Sequence, residues 1–370
     1  MILKAQSKLN FFDKSILLIN CVFAFLLILS YGAPLISPST CCFIAFLGLG
    51  YPFLVIINIA FLIYWLVRFI RYSLISAISI LLGFKIMMSS FGFHKLHASN
   101  KNEPSSAIRI MAYNVHGFGG VGKLNGKPIQ SDVIKLINTQ HPDIINFEEF
   151  YTDVLNREVI MSSLKKVVNS GYYYSKGYDF TQWDSSGVAI FSRFPIINRG
   201  VIQPDANSGQ IQAIYADIKK GDFVFRVYCV HLQSIRFDDN DHQYLKNMAG
   251  GSLKVHGLHA IYSKLKQAFI QRGFQVALVK KNMSECPYPY VIAGDFNDTP
   301  NSYAVTQINK GLKNAFIENG SGLGLTYFGD FPGFQIDYIL TSLQFNINNY
   351  QIINVKLSDH YPVMSDLSIK

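Results

Sequence analysis

From Ser15 to Val67 the chain carries no Asp, Glu, Lys or Arg. An uncharged run of this length is foreign to a water-soluble core, and at about 20 residues per crossing it can traverse a bilayer twice. Pro34 and Pro38, with Ser37, Ser39 and Thr40, interrupt it once. The pattern predicts one helix near 15–36 and a second near 41–67, kinked at Pro52, a distortion that membrane helices accommodate. Tyr64 and Trp65 suit an interface, and Arg68 and Arg71 end the segment. A third apolar stretch, Tyr72–Met88, carries Lys85 near its end. Extended to about residue 90, it either spans with a snorkelling lysine or lies in the interface. A cleaved signal peptide would explain the first segment alone, but two more apolar segments follow it.

Net charge supports the same division. The chain is formally +9, yet residues 1–100 hold seven Lys/Arg against one acid, so +6 belongs to that region and +3 to the rest. The basic balance therefore reports membrane flanks rather than a nucleic-acid-binding face. Lys4, Lys8 and Lys14 precede the first apolar segment and Arg68 and Arg71 follow the second, whereas the loop at Pro34–Thr40 is uncharged. The positive-inside rule then places the N-terminus in the cytoplasm. A spanning third segment, the reading adopted, makes this a multi-pass protein whose remainder is extracytoplasmic, or periplasmic in a bacterium. Of the five cysteines, Cys21, Cys41 and Cys42 fall in or beside apolar segments and Cys229 and Cys286 in or beside strands. Their spacing fits no zinc site, and a Cys229–Cys286 disulfide stays open.

Three regions follow: a membrane region over 1–96, a polar linker over 97–106 and a single α/β unit over 107–370. In the last, short apolar runs read as strands at Ile108–Val115, Ile144–Phe147, Gly187–Ser192, Ile211–Asp217, Phe223–Leu232, Tyr290–Ala293, Ile336–Leu340 and after Gln344. Helices are expected at Ser131–Thr139 and Leu258–Asn282. The polar stretch Ser234–Val255 has the character of an active-site loop.

Several of these strands end in polar groups. One ends at Asn114, another in Glu148-Glu149, another at His231. Tyr290–Ala293 runs into Gly294-Asp295-Phe296-Asn297, Asp337 stands between apolar neighbours, and Asp359-His360 follows near the C-terminus. Taken singly, Asn114 reads as a turn residue, His231 as a structural imidazole and Asp337 as half of a salt bridge. As a set they converge, because α/β sheets gather strand-end residues along one edge, where ligands bind. Convergent hard oxygen donors beside imidazoles suit a divalent cation or an oriented water, and so phosphate chemistry.

In this order and context the residues resemble the endonuclease/exonuclease/phosphatase superfamily. The matching pieces are Ala112-Tyr113-Asn114-Val115, Pro142-Asp143-Ile144-Ile145 through Glu149, Gly187 through Pro195, Val230-His231-Leu232, Gly294 through Pro300, Ile336 through Leu340, and Ser358 through Val363. The likeness covers about 107–370, and the apolar N-terminus looks like that of bacterial members anchored by membrane helices. The resemblance implies a four-layer α/β sandwich, two mixed β-sheets flanked by helices, after an N-terminal transmembrane helical region. It implies a Mg²⁺ centre, Mn²⁺ being an alternative ion, with Glu149 as principal ligand, Asn114 beside it and Asp359 at the metal directly or through water. It also implies catalytic roles. Asp295 would orient or deprotonate the attacking water, and Asn297 would hold that water or a phosphate oxygen. His360 would donate to the phosphate, with its tautomer fixed by Asp337, and His231 would contact the phosphate.

Three positions depart from the pattern: Glu148 stands where glutamine is frequent, Gln335 where a basic residue is, and His116 where some DNA-repair members carry an acid. The expected activity is hydrolysis of a phosphoester by in-line attack of water. The substrate is open between nucleic acid, a phospholipid or sphingolipid head group, and a small phosphate ester. A nucleic-acid groove would draw on Arg193, Arg199, Arg226, Arg236, Lys246 and Lys254. A non-catalytic binding module on the same fold is the alternative of a different class. Oligomeric state is not legible.

Overall fold

A computed structural model describes all residues except 1–8, 95–106, 120–128, 154–156, 170, 181–183, 203–211, 236, 239, 242, 245–246, 248–254 and 330–332. The chain forms two compact units, one of residues up to Ser89 and one of Ser90–Pro300 with Ala304–Lys370. The linker expected at 97–106 and much of the loop expected at 234–255 lie outside the described residues.

The first unit contains α1 (Phe11–Ser30), α2 (Cys42–Leu49), α3 (Tyr51–Arg68), α4 (Ile70–Leu82) and α5 (Phe84–Met88). The expected kinked helix over 41–67 is two helices that meet at Gly50. Pro52 stands in the first turn of α3, where its missing N–H loses no hydrogen bond. The third apolar stretch begins at Ile70 and breaks at Gly83. Polar contacts join the long helices. Asn20 Nδ2 donates to Ser76 Oγ (2.7 Å), and Asn20 Oδ1 accepts from Trp65 Nε1 (3.0 Å). Tyr31 Oη donates to Ser79 O (2.6 Å), while Tyr64 and Arg68 both donate to Asp13. These pairings run α1 parallel to α4 and antiparallel to α3. Asn20, Asn58, Ser73, Ser76 and Ser79 are buried, whereas Leu18, Phe25, Ile56, Ile63, Leu74 and Leu81 are exposed. These polar residues share the interior with Leu27, Leu54 and Trp65, while large apolar side chains face outward, the reverse of the surface of a water-soluble bundle.

The second unit contains β1 (Gly92–Phe93), β2 (Ile108–Asn114), β3 (Ile144–Asp153), β4 (Tyr172–Phe180), β5 (Asp184–Ser192), β6 (Ile196–Val201), β7 (Gln212–Lys220) and β8 (Phe223–His231). It continues with β9 (Tyr290–Asp295), β10 (Lys313–Asn314), β11 (Ser321–Gly322), β12 (Asp337–Thr341), β13 (Phe345–Ile352) and β14 (Val363–Ile369). Two six-stranded sheets have the orders β13-β14-β2-β3-β5-β4 and β10-β12-β9-β8-β7-β6, and β1 pairs with β11 separately. Each large sheet has a single parallel pair at its centre, β2 with β3 and β8 with β9. The crossovers between those partners carry α6 (Gln130–Gln140) and α8 (Val255–Ser284); α7 (Arg157–Val167) follows β3.

Strand alternation sorts the side chains into layers. Ile108, Ile110 and Ala112 of β2 meet Phe225, Val227 and Cys229 of β8 in the core between the sheets. Met111 and Tyr113 face Val133 and Ile137 of α6 and Leu164 of α7. Tyr228 and Val230 face Val276 and Val279 of α8. The result is the expected four-layer sandwich, and each large apolar side chain so buried contributes about 1.5–3 kcal/mol. Strands β4, β6 and β14 were not anticipated. β6 is an exposed edge, and β14 hides Asp366 by pairing it with Arg109 (2.7 Å). Cys229 and Cys286 are both free thiols, so the disulfide is not formed.

One polar residue bolts the sheets together. Asn146 of β3 donates from Nδ2 to Tyr228 O (2.9 Å) and Ala293 O (3.0 Å) in the opposite sheet. Asn146→Ala removes both bonds and leaves a cavity, and should cost about 2–4 kcal/mol in urea unfolding of the detergent-solubilised chain.

Candidate active site

The parallel pairs end on the same side of the sandwich. Asn114 pairs in register with Glu148 across β2 and β3, and His231 with Asp295 across β8 and β9. Antiparallel β12 enters at this edge, setting Asp337 opposite Asp295, and His360 lies three residues before β14. Every residue expected at the site is therefore brought to one seam between the sheets.

Two backbone departures aim the side chains. The ladder between β3 and β5 slips between Phe147 and Phe150, and Glu149 adopts φ +49°. Without this bulge, alternation would turn Glu149 toward the helices; with it, Glu149 reaches the seam and Phe150 rejoins Phe147 in the outer core. Asn297 and His116 also have positive φ, +52° and +45°, a strained state that clusters at functional sites. Gly294 has φ +146°, and a Cβ there would lie 2.2 Å from Val230 O and 2.8 Å from Glu148 Oε1. Only glycine lets β9 pass over the Glu148 carboxyl.

Asp295 is the hub. Its Oδ1 accepts the Asn297 backbone N–H (2.7 Å), and its Oδ2 accepts from Asn114 Nδ2 (3.0 Å) and Asn297 Nδ2 (3.1 Å). The Nε2 atoms of His231 and His360 lie 3.7 and 3.8 Å from the same Oδ2. Burial pushes the Asp295 carboxyl up to about 6, despite the opposing charge of His360. His360 Nδ1 meets Asp337 Oδ2 at 3.0 Å. Burial pulls this imidazole down, but the charges of Asp337 and Asp295 and the Asp337 hydrogen bond carry it well above the usual range. Thr326 Oγ1 accepts from the N–H groups of Ile336 and Asp337 and fixes the start of β12.

Glu149 sits at the mouth. Asn114 Nδ2 donates to its Oε1 (3.2 Å), His231 Nε2 lies 3.7 Å from that atom, and His116 Nδ1 lies 3.4 Å from Oε2. Burial raises this carboxyl, yet the His116 hydrogen bond and the charges of His231 and His116 outweigh it, leaving about 2. His116 is also 3.6 Å from Asp359 Oδ1. The donor chemistry fits a divalent ion: Glu149 is anionic throughout the neutral range and Asp359 faces it across His116, both hard oxygen donors. His231 Nε2 is buried without a hydrogen-bond partner among the described residues, while Nδ1 meets Gln212 Oε1 at 3.1 Å. Such an orphaned atom awaits a ligand. Asn114 commits its oxygen to the His116 N–H (3.0 Å) and only its amide hydrogens to the carboxylates, so it positions Glu149 here. Among the described residues, Asp295, Asp337 and His360 also bring donor atoms within 4.8 Å of one another. With His360 Nδ1 bonded to Asp337, that trio is better suited to proton handling.

Residues not expected at the site support it. Arg272 of α8 is buried; its Nε donates to Asp298 Oδ2 (3.0 Å) and its Nη1 to Gln233 O (2.9 Å), tying together the loops after β8 and β9. Asn297 Nδ2 adds a bond to Leu232 O (3.0 Å). An arginine on the face of an amphipathic helix was the available signal for Arg272; nothing in the sequence marked Gln212. His116 was visible only as a departure. Of the basic residues considered for a nucleic-acid groove, Arg226 is buried against Asp217 and Arg193 pairs with Asp143 (3.0 Å). Arg236, Lys246 and Lys254 lie outside the described residues.

A family model described as Endonuclease/Exonuclease/phosphatase family matches residues 111–360. The chain belongs to this family, whose members hydrolyse phosphoesters and typically use a divalent metal. A second family model, described as a domain of unknown function (DUF8431), matches residues 13–90. No curated protein sequence matches. Among solved structures, the endonuclease/exonuclease/phosphatase from Bacteroides vulgatus is 17% identical with a TM-score of 0.51, covering 71% of this chain and 99% of that one. A mannosyl-6-phosphatase from Bacteroides thetaiotaomicron is 16% identical at 0.50, covering 71% and 100%. The human Nocturnin catalytic domain is 15% identical at 0.50, covering 72% and 94%. At these identities the likeness is one of fold.

Glu148 yields a pH prediction. Burial, then the charges of Asp337 and Asp295, push its carboxyl well above the usual range, against a hydrogen bond from Cys229 Sγ (3.3 Å). The folded chain thus keeps a proton that the unfolded chain releases near pH 4.3, and stability falls as pH rises above that value by about 1.4 kcal/mol per unit. Glu148→Gln removes this slope. In EDTA, its melting temperature should exceed that of the parent chain at pH 7–8, and the difference should vanish near pH 4.

Proposed function

We propose that this chain is a membrane-anchored, metal-dependent hydrolase of phosphoesters. One observation carries the reading: a buried carboxylate, Asp295, whose Oδ2 lies 3.7 and 3.8 Å from the Nε2 atoms of His231 and His360, with Asp337 on the other ring nitrogen of His360. Above about pH 6 Asp295 is ionised and takes a proton from water. The amides of Asn114 and Asn297 hold its oxygens in place, and Asn297 keeps its own carbonyl oxygen for the water or a phosphate oxygen. His360 carries protons on both ring nitrogens; Asp337 holds one, and the other is directed to a non-bridging phosphate oxygen as charge develops there. His231, oriented through Gln212, meets the phosphate with Nε2. Glu149 and Asp359, with Asn114 positioning the former, would hold Mg²⁺ or Mn²⁺, which when bound neutralises phosphate charge and polarises its oxygen.

The inverted distribution of polar and apolar groups in the first unit supports the anchor. Its two longest helices, Phe11–Ser30 and Tyr51–Arg68, are long and apolar enough to cross a bilayer, and only 22% of each apolar stretch is buried. α4 and α5 together run from Ile70 to Met88, nearly as many residues as α1, and serve as the third crossing, with the N-terminus cytoplasmic and the second unit across the membrane.

On bis-p-nitrophenyl phosphate, Asp295→Asn and His360→Ala should each lower kcat by about 10³-fold or more. EDTA should abolish turnover, and Mg²⁺ or Mn²⁺ should restore it. Undiminished turnover in either variant would remove the assignment. Protonation of Asp295 disables the base, so kcat/KM should fall tenfold per unit as pH drops below about 6. For topology, Ser105→Cys in a background free of native cysteines should react with an impermeant maleimide on intact cells. Labelling only after permeabilisation would return the second unit to the cytoplasm.

A further inference from the structure

The catalytic unit carries an apolar ribbon that nothing above uses. Strands β1 and β11 pair antiparallel, Gly92 with Gly322 and Phe93 with Ser321, and His94 N donates to Gly320 O (3.1 Å). A Cβ on Gly92 would lie 2.3 Å from Gly320 C, so the close approach of the two strands requires glycine there. The ribbon presents Phe93 (66% exposed), Leu323 (52%), Leu325 (42%) and Phe91 (37%). The rings of Phe91 and Phe93 lie 6.2 Å apart. Other large exposed apolar side chains of this unit stand on separate elements, such as Val159 on α7, Ile197 on β6 and Phe274 on α8, a scatter that is ordinary for a protein surface.

Two connections fix what such a ribbon can meet. On one side, only Ser89 and Ser90 separate Phe91 from Met88, the end of α5. Fully extended chain covers at most about 3.6 Å per residue, so Phe91 lies within about 11 Å and Phe93 within about 18 Å of the end of the apolar helices. On the other side, the segment after Leu325 is bonded into the site. Tyr361 N donates to Thr326 O (2.7 Å) and Phe328 N to Asp359 O (3.0 Å), while the Tyr327 ring lies edge-on to His360 with centroids 5.1 Å apart. The ribbon therefore links the end of the membrane-proximal helix to the wall of the site at Asp359 and His360.

We propose that Phe91, Phe93, Leu323 and Leu325 insert into the bilayer interface and hold the site at the lipid surface, so that the phosphoester hydrolysed is the phosphodiester of a lipid head group. This rests on the proposed anchor and activity. Phenylalanine and leucine suit the boundary between head groups and acyl chains, and their burial there compensates the exposure of apolar surface on an otherwise soluble unit. Proximity then acts directly, because Tyr327, two residues after Leu325, packs edge-on against His360 and joins the ribbon to the site.

The test uses the full chain in phosphatidylcholine proteoliposomes. A nitroxide on Leu323→Cys, in a background free of native cysteines, should be more accessible to oxygen than to a water-soluble nickel chelate; a label on Leu343→Cys should show the reverse. The variant Phe93→Ser with Leu323→Ser and Leu325→Ser should lose at least tenfold in turnover of vesicle phosphatidylcholine or sphingomyelin while keeping that of soluble bis-p-nitrophenyl phosphate. A water-exposed nitroxide at 323, or equal losses on soluble and lipid substrates, overturns the proposal. If the parent chain hydrolyses the soluble ester but no lipid, the lipid assignment fails while the phosphoesterase reading stands. If it hydrolyses neither, that reading fails, and the nitroxide still decides whether the ribbon meets the bilayer.

Discussion

Glu148, Asp295, Asp337 and His360 are all buried in the seam between the sheets. An ionised carboxylate in such a place has lost its water, and each negative charge must be met by a donor or cancelled by a proton. The seam does both. Glu148 keeps its proton, Asp337 is answered by the His360 imidazolium, and Asp295 collects amide hydrogens from Asn114 and Asn297. The surrounding architecture serves this balance. Gly294 passes over Glu148, the bulge in β3 moves Glu149 out of the crowded interior to the mouth, and Arg272 pins the loops that carry His231 and Asn297.

This balance explains the substitution at Glu148. Where glutamine is frequent, a neutral carboxylic acid offers similar shape and the same net charge, provided the surroundings keep it protonated. Burial and the two neighbouring carboxylates ensure that they do, against the hydrogen bond that Cys229 donates to Oε1. A sequence comparison would count an added charge beside Glu149; burial of the carboxyl in the seam removes it.

Much of this was legible in the chain itself because the chemistry sits where strands stop. An apolar run followed by Gly294-Asp295-Phe296-Asn297 announces a strand and its polar end, and the same reasoning reached Asn114, His231, Asp337 and His360. Roles that depend on non-local partners were not legible. Gln212 is an ordinary glutamine until β7 is paired with β8, and Arg272 an ordinary helix arginine until α8 lies over Asp298. Alternation alone would turn Glu149 toward the helices, so its place at the seam followed from the resemblance and depends on the bulge in β3. In the apolar region the amount of hydrophobic sequence was plain, but the break at Gly50 was missed, because a proline reads as a kink unless the preceding turn is known to end the helix.

The order of strands in the first sheet has a bearing on biogenesis. β14 lies between β13 and β2, and His360 lies three residues before it. Asn114, at the end of β2, is made about 250 residues before His360, and at about 5–20 residues per second a nascent chain waits many seconds between the two. Throughout that interval β2 lacks its antiparallel neighbour and Asp337 lacks its imidazole. A chain halted before β14 holds Asn114, His231 and Asp295 but not the arrangement that His360 completes. The arrangement therefore waits for the stretch that carries His360 and β14, long after β2 has been made.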